Sequence, residues 1–272
     1  MLGAAEIRTL AEKLEIRPTK KLGQNFVIDP NTIRKIVAAA HLDPSDLVVE
    51  IGPGLGSLTL GILELVPRVI AVEIDARLAQ ELPITINRHA PNAQLNLVLA
   101  DALKVTELPG EPTALVANLP YNISVPVLLH FLEHFESLRK GLVMVQAEVA
   151  HRLAAGPGTK DYGSPSIKMA WYGSARLAGN IGRNIFWPVP GVDSALVYFE
   201  KGEARDPKLK KETFAAIDGA FLQRRKTLRQ ALATWAGSPS LAEQILTRAG
   251  VDPSSRGEQL GIEEFIRIAA AK

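Results

Sequence analysis

The chain has 272 residues, of which 47% are hydrophobic and 22% charged, and its formal net charge is +2. These values are typical of a globular protein with one large and one small domain, and the absence of cysteine excludes disulfide bonds and thiolate metal ligands. The sequence has neither the ~20 continuous apolar residues of a membrane-spanning helix nor a signal peptide, so a cytoplasmic protein that does not bind membranes is expected.

A helix is predicted first, over residues 29–40, because Asp29 can cap it and Pro30 suits its first turn. After it, short apolar runs alternate with helical stretches. Such fully apolar runs favour a parallel α/β sheet that is covered on both faces. The predicted buried strands are residues 48–52, 69–74, 95–100, 114–118 and 141–146. Ligands of such sheets bind beyond the carboxyl ends of the strands.

Two later segments, roughly residues 168–178 and 194–200, are predicted to form an antiparallel pair at the sheet edge. The polar stretch 202–207 is rich in turn-forming residues and is predicted to be a linker. Apolar residues then recur at helical spacing, which predicts a small all-helical domain. We therefore divide the chain into an α/β domain, residues 1–202, and a helical domain, residues 203–272.

The first predicted strand runs into a glycine-rich loop, Gly52-Pro53-Gly54-Leu55-Gly56. Glycines let the backbone turn sharply and let a ligand approach closely. A dinucleotide fingerprint would need a further glycine where Ser57 stands. The observed pattern, preceded by an acidic residue, resembles instead the first motif of S-adenosylmethionine-dependent methyltransferases. A structural turn that binds no ligand is the alternative.

Acidic residues follow the next two strands. Glu73 comes about 20 residues after the glycines, where a carboxylate can accept hydrogen bonds from ribose hydroxyls. This position does not separate S-adenosylmethionine from a nicotinamide dinucleotide, since both carry that ribose. Asp101 follows the third strand, where methyltransferases place an acid near the adenine of the cofactor. Each acid alone could be a solvated strand end, but the ordered series predicts a cofactor site.

The fourth strand ends in Asn118-Leu119-Pro120-Tyr121, the most informative stretch of the chain. An adenine amine is a poor nucleophile because its lone pair is delocalised into the ring. The Asn118 side-chain oxygen and the Leu119 carbonyl could accept hydrogen bonds from the two N–H groups of the amine and so free its lone pair. Pro120 fixes the turn that presents these acceptors, and Tyr121 offers a ring on which the base can stack. The alternative is a strand-ending turn with a buried tyrosine.

On these motifs, the chain resembles the family of small-subunit ribosomal RNA adenine dimethyltransferases, from about Lys20 to Leu260, including the N-terminal motif at residues 22–27. The resemblance implies a Rossmann-like class I methyltransferase sheet followed by a small helical RNA-binding domain. It implies S-adenosylmethionine contacts from Asn25, Val27, Gly52, Gly54, Glu73, Asp101 and Asn118. It also implies that Phe186 lies over an extruded target base, opposite Tyr121.

The family resemblance extends to the C-terminal stretches 221–229 and 256–260. Clusters of positively charged side chains bind the phosphates of RNA. The predicted RNA-binding residues are therefore Arg224, Arg225, Lys226 and Arg229. A solvated helix face is the alternative explanation for their charge. The family's substrate would be two adjacent adenosines in a 3′-terminal hairpin of 16S ribosomal RNA, within the small ribosomal subunit or its precursor. A monomeric enzyme is expected.

The chain departs from the family pattern at Val27, where leucine is common, and at Gly182 and Gly191, where proline and a basic or polar residue are frequent. These changes leave the methyl-transfer residues intact.

Several other functions remain open at this stage. Residues 130–134 match the zinc-peptidase pattern H-x-x-E-H, but the apolar face of that helix is predicted to be buried and the histidines solvated, so no metal is expected. A methylase of 23S ribosomal RNA, of the antibiotic-resistance type, would share every catalytic residue. A nicotinamide-dependent oxidoreductase is opposed by Ser57 and by the tetrapeptide. A non-enzymatic ribosome assembly factor is the third alternative.

Overall fold

A computed structural model describes residues 1–16 and 25–272 of the chain. These residues form two compact units, one of residues 1–150 and 176–201 and the other of residues 151–175 and 202–272. The predicted N-terminal motif falls partly outside the described residues, since Leu22, Gly23 and Gln24 are not among them.

Nine strands are present in the described part of the chain. They are β1 (Phe26–Val27), β2 (Val48–Ile51), β3 (Arg68–Glu73), β4 (Gln94–Leu99), β5 (Ala114–Asn118), β6 (Lys140–Gln146), β7 (Gly173–Ile181), β8 (Phe186–Trp187) and β9 (Ser194–Lys201). Seven of them form one sheet in the order β4-β3-β2-β5-β6-β9-β7, and β1 pairs with β8 in a separate two-stranded sheet.

Helices follow most of the strands, as the alternating pattern predicts. They are α1 (Ala4–Lys13), α2 (Pro30–Ala39), α3 (Ser57–Leu63), α4 (Ala76–His89), α5 (Ser124–His134), α6 (Ala147–Leu153), α7 (Ser164–Tyr172), α8 (Pro207–Leu222), α9 (Leu228–Ala231), α10 (Ala233–Ala236), α11 (Pro239–Arg248) and α12 (Ile262–Ala270). The predicted cap of α2 is confirmed, because the Asp29 carboxylate accepts hydrogen bonds from the backbone of Asn31 and Thr32. None of the described helices is long and apolar enough to cross a membrane.

The five predicted strands are all confirmed, and the pairs among β2 to β6 are parallel. The prediction that all five are buried is wrong for β4, whose residues are half-buried or exposed. The physical reason is its place at one edge of the sheet. By contrast, every residue of β2 is buried, because the strand lies between β3 and β5.

The two predicted edge segments are confirmed as neighbouring strands, β9 and β7, but the predicted start of the first segment is wrong. Residues 164–172 form α7, with Pro165 in its first turn, and the strand β7 starts only at Gly173. The other strand, β9, pairs antiparallel with β6, and β7 lies beyond it at the sheet edge. Proline suits the first turn of a helix, so Ser164-Pro165 was a helix-start signal that the apolar pattern concealed.

The second unit is built from α7 to α12, and the helical prediction for its C-terminal part is confirmed. Its extent differs from the predicted division after residue 202, because residues 151–175 also belong to it. Aromatic packing explains the difference: the rings of Trp171 and Tyr172 meet the ring of Phe214 edge-on, at centroid distances of 5.8 and 6.4 Å.

The order of the strands in the large sheet indicates where a ligand would bind. The chain moves outward from β2 through β3 and β4 on one side, and through β5 and β6 on the other. Strand order therefore reverses at β2 and β5. In open α/β sheets the crevice beyond the carboxyl ends at this point is where ligands bind.

Candidate active site

The glycine-rich loop after β2 adopts a backbone that only glycine accommodates easily. Gly52, Gly54 and Gly56 have φ angles of +67°, +59° and +96°. A Cβ atom on Gly54 would lie 3.0 Å from the ring of Phe26, so the loop is also closely covered there. The loop ends at Gly56, which precedes the first residue of α3.

A cleft of about 920 Å³, counting its solvent-filled mouth, opens at the carboxyl ends of the strands. Its walls bring together all seven residues that the sequence associates with a cofactor: Asn25, Val27, Gly52, Gly54, Glu73, Asp101 and Asn118. We call this space the cofactor cleft. The loop after β2 and the ends of β3, β4 and β5 each contribute to it.

Glu73 is held rigidly at the wall of the cofactor cleft. One carboxylate oxygen accepts a hydrogen bond from the Gly54 N–H at 3.2 Å, and the other accepts from Ile74 and Asp75 at 2.8 and 2.9 Å. Burial raises the pKa of Glu73, while these backbone donors oppose the shift. A carboxylate fixed in this way can accept further hydrogen bonds from a ligand's hydroxyl groups.

Glu50 is a cleft residue that the sequence analysis did not assign. Its side chain lines the cleft and is 1% exposed, and its Oε2 atom has no hydrogen-bond partner within residues 1–16 and 25–272. Burial raises its pKa to about 8, the Thr59 hydroxyl opposes this shift, and the nearby Glu73 carboxylate adds to it. The acid that precedes the glycines was visible in the sequence, but its burial was not.

These observations test whether the cleft fits S-adenosylmethionine. Buried, unpartnered polar atoms are costly, so they indicate a polar ligand. Glu50 Oε2 and Ser57 Oγ are both of this kind and both residues line the cleft. Two acidic side chains suit a ligand that carries ribose hydroxyls, an ammonium group and a positively charged sulfur. The residues present therefore fit this cofactor.

Asp101 follows β4 and caps a short 3₁₀ turn, Ala102–Lys104, by accepting a hydrogen bond from the Leu103 N–H at 3.0 Å. This turn lies at the wall of the cleft, which Asp101 and Ala102 both line.

Asn118 is oriented by a contact that the sequence does not reveal. Its side-chain nitrogen donates a hydrogen bond to the backbone carbonyl of Asn25 at 3.0 Å. This hydrogen bond fixes the orientation of the Asn118 side-chain amide. Next to it, the Leu119 N–H donates to the Met144 carbonyl at 3.1 Å, and the turn closes with a 3.2 Å bond from Ile123 to Pro120.

The two predicted stacking residues lie in different surroundings. Tyr121 is half-buried, and its hydroxyl is 2.7 Å from the Ser194 hydroxyl. Phe186 is 1% exposed and packs into the hydrophobic core, so its ring does not line the cofactor cleft. Side chains alternate between the two faces of a strand. As a result Trp187, not Phe186, stacks on Phe26, with 6.3 Å between ring centroids.

The four basic residues predicted to bind RNA fall into two groups. Arg224 pairs with Glu258 at 2.8 Å and also donates to the Lys160 carbonyl, and Arg229 pairs with Glu243 at 2.7 Å. Arg225 and Lys226 are exposed, and neither forms an ion pair with any residue that the structure describes. Within the part of the chain that the structure describes, two of these cations are thus without an ion pair and two are partly neutralised.

The histidines of the zinc-peptidase pattern use ring nitrogens for contacts with the backbone. His130 Nε2 lies 2.7 Å from the Val105 carbonyl and His134 Nδ1 lies 2.9 Å from the His130 carbonyl. His130 is half-buried, in contrast to the predicted solvent exposure, because it packs against the turn after β4. Across the described ranges, 1–16 and 25–272, no cluster of three or more His, Cys, Asp or Glu side chains is arranged to hold a metal.

Comparison with known proteins gives a consistent result. The sequence profile of a family described as "Ribosomal RNA adenine dimethylase" matches residues 16–272. A protein of Arthrobacter sp. (strain FB24) is 60% identical over 100% of this chain and 93% of its own length. One of Leifsonia xyli is 61% identical over 99% of this chain and 98% of its own. Both are named ribosomal RNA small subunit methyltransferase A.

Two solved structures are similar in fold. A dimethyladenosine transferase from Plasmodium falciparum has a TM-score of 0.75 at 24% identity, covering 88% of this chain and 94% of that one. The 23S rRNA methyltransferase ErmE has a TM-score of 0.66 at 27% identity, covering 91% and 99%. The predicted Rossmann-like class I methyltransferase fold is confirmed.

The family match extends over nearly the whole chain, and the cofactor cleft fits the methyl donor that these enzymes use. The chain therefore belongs to the ribosomal RNA adenine dimethylases, which are S-adenosylmethionine-dependent methyltransferases.

Proposed function

We propose that this protein dimethylates the N6 amines of two adjacent adenosines in the hairpin near the 3′ end of 16S ribosomal RNA. The observation that carries the proposal is the orientation of Asn118 at the edge of the cofactor cleft. Its amide nitrogen donates a hydrogen bond to the Asn25 carbonyl at 3.0 Å, and in this proposal its oxygen accepts a hydrogen bond from the target amine. The small-subunit name of the similar proteins supports the choice of RNA.

The residues around Asn118 suit a reaction on a weakly nucleophilic amine. The Asn118 oxygen and the Leu119 carbonyl accept hydrogen bonds from the two N–H groups of the amine. These hydrogen bonds draw the nitrogen toward tetrahedral geometry and free its lone pair. No strong base is needed, because the amine can release its proton after attack. S-adenosylmethionine supplies a methyl group activated by a positively charged sulfur. Positioning and charge stabilisation by the protein account for the rest of the catalysis.

We assign cofactor binding to Asn25, Val27, Gly52, Gly54, Glu73, Asp101 and Asn118, all of which line the cleft. Tyr121 stacks on the extruded base. Phe186 takes the opposite face in this proposal, which requires its ring to leave the core, where it is 1% exposed. The Trp187 ring that stacks on Phe26 would move with it.

RNA binding is assigned to the second unit, through the basic segment, residues 224–229. Phosphate contacts need cations that are not already neutralised. Arg225 and Lys226 meet this condition, while Arg224 and Arg229 have acidic partners within the same unit. We assign direct phosphate contact to Arg225 and Lys226, with weaker contributions from Arg224 and Arg229. We further propose that the protein acts as a cytoplasmic monomer.

The test compares substrates directly. Purified protein and labelled S-adenosylmethionine are mixed with small or large ribosomal subunits from cells that lack the modification, and methylated nucleotides are mapped by mass spectrometry. We expect N6,N6-dimethyladenosine at two adjacent positions of the small-subunit RNA. Methylation confined to the large subunit would overturn the proposal in favour of a 23S methylase.

A further inference from the structure

Ser194 makes a contact that the mechanism above does not use. It is the first residue of β9 and is completely buried, and its hydroxyl lies 2.7 Å from that of Tyr121. A buried hydroxyl needs a hydrogen-bond partner, and Tyr121 supplies it. The two residues are 73 positions apart in sequence, so only the fold brings them together.

The backbone around Ser194 is fixed relative to Asn118. Within the sheet, Asn118 is paired with Met144, and Met144 is paired in turn with Leu196 of β9. Three adjacent strands, β5, β6 and β9, therefore set the separation between the catalytic asparagine and the start of β9. Ser194 itself pairs with Gln146 at the end of β6.

The residue before Ser194 adds a second anchor. The Asp193 carbonyl accepts a hydrogen bond from the Ala147 N–H at 3.0 Å. The Asp193 carboxylate accepts from the Arg183 N–H at 3.1 Å, at the start of the turn that leads to Phe186. The start of β9 is thus tied both to the end of β6 and to the segment that carries the second stacking residue.

The Tyr121 side chain is consequently held at both ends. Its backbone follows the turn at Pro120, and its hydroxyl is held by Ser194 on a different strand. The hydrogen bond fixes the position of the hydroxyl end of the ring, so a base that stacks on it meets a ring already in place and loses less entropy on binding. Functional rings need such support to keep their orientation.

We propose that Ser194 is a positioning residue, which holds the hydroxyl end of the Tyr121 side chain in the place from which its ring stacks on the target adenine. The inference rests on the proposed function, because it concerns the same base. It assigns Ser194 no contact with the cofactor or with the reacting amine.

A double-mutant cycle tests this role. Ser194→Ala and Tyr121→Phe each remove the same hydrogen bond while keeping the ring, and the third variant combines them. Methyl transfer to unmethylated small subunits is measured together with the Kd for S-adenosylhomocysteine. Ser137→Ala is the matched control, since its hydroxyl donates at 2.8 Å to the Pro112 carbonyl, away from the cleft.

We expect each single variant to lower kcat/KM for the small subunit about 3–10-fold, the range for one hydrogen bond. The double variant should fall no further, and the Kd for S-adenosylhomocysteine should be unchanged in all three. Wild-type transfer by Ser194→Ala, or effects that multiply in the double variant, would overturn the positioning role.

Two further results distinguish failure of this inference from failure of a variant to fold or failure of the proposed function. If Ser194→Ala does not fold, Tyr121→Phe decides the question alone, because it breaks the same bond from the other side. A wild-type rate for that variant would then reject the inference. If the wild-type protein itself transfers no methyl to the small subunit, the proposed function fails and the inference fails with it.

Discussion

The two halves of the proposed active site are built differently. The cofactor half is made by backbone at strand ends: glycines with positive φ, and carboxylates held by backbone N–H groups. The base half depends on side chains brought together from distant parts of the chain, such as Tyr121 with Ser194. The comparison teaches that the cofactor half depends mainly on backbone at the ends of strands, while the base half depends on contacts between side chains that are far apart in sequence.

The two halves also differ in how many of their predicted residues are already in place. All the predicted cofactor residues already line one cleft. In the base half, Asn118 is in place but the ring of Phe186 is 1% exposed within the core. We therefore expect substitutions in the cofactor half to affect binding, and substitutions in the base half to affect turnover.

The largest effect is expected at Asn118, where the two halves meet. Replacing it by alanine should lower turnover by about 10²–10³, because one positioned polar group at the reacting centre is lost. Single-turnover methyl transfer measures the effect, with Asn31→Ala as a control outside the cleft, where the asparagine pairs with Arg34. Near-normal turnover would remove Asn118 from the mechanism.

A substitution in the glycine-rich loop tests whether the cofactor half controls ligand binding. In Gly54→Ala, the new Cβ would lie 3.0 Å from the Phe26 ring, at a φ of +59° that costs a non-glycine residue about 1–2 kcal/mol. We expect affinity for S-adenosylhomocysteine to fall about 10-fold or more, measured by calorimetry. Gly191→Ala has open space and should not change it. Equal affinities of the two variants would contradict a closely covered glycine loop.

The pH dependence of stability tests the electrostatics of the cleft. Burial raises the pKa of Glu50 to about 8 from an ordinary value of 4.5, so between these pH values the native state binds a proton that the unfolded state lacks. Stability therefore falls as pH rises through this window. Glu50→Gln binds no such proton, so its stability relative to wild type should rise by about 4–5 kcal/mol across the window, at about 1.4 kcal/mol for each pKa unit.

Thermal denaturation of the cofactor-free protein across this pH range measures the difference. Glu111→Gln, at an exposed position, serves as the control. A constant gap between Glu50→Gln and wild type at all these pH values would show that Glu50 is ionised in the folded protein.

The smallest effects are expected in the basic segment of the second unit. Arg225→Gln and Lys226→Gln should each flatten the dependence of RNA affinity on log salt by about 0.7–0.9, the value for one phosphate contact. Arg224→Gln and Arg229→Gln should change it less, because Glu258 and Glu243 already offset those charges. Binding titrations at several salt concentrations measure the slope. Equal slopes for all four variants would show that Arg225 and Lys226 do not differ from Arg224 and Arg229 in their contact with phosphate.

Much of the sheet and the cofactor half could be predicted from the sequence. Each key residue follows a short apolar run, and the end of such a run fixes where Gly52, Glu73, Asp101 and Asn118 lie in a parallel sheet. Asp29 likewise signals its helix through a contact only two or three residues away. These features depend on local spacing.

Long-range contacts could not be predicted in this way. The Arg224–Glu258 pair joins residues 34 positions apart, and the Asn118–Asn25 hydrogen bond joins residues 93 apart. The burial of Phe186 follows from the pairing of β8 with β1, which sets the face that each side chain takes. No local pattern specifies that pairing.

A crystal structure with S-adenosylhomocysteine tests the central claim most directly. It should show the ribose hydroxyls bonded to Glu73 and the sulfur beside Asn118, with the glycine loop unchanged. A ligand bound elsewhere, or a cleft that accepts NADH but not S-adenosylhomocysteine, would contradict the account.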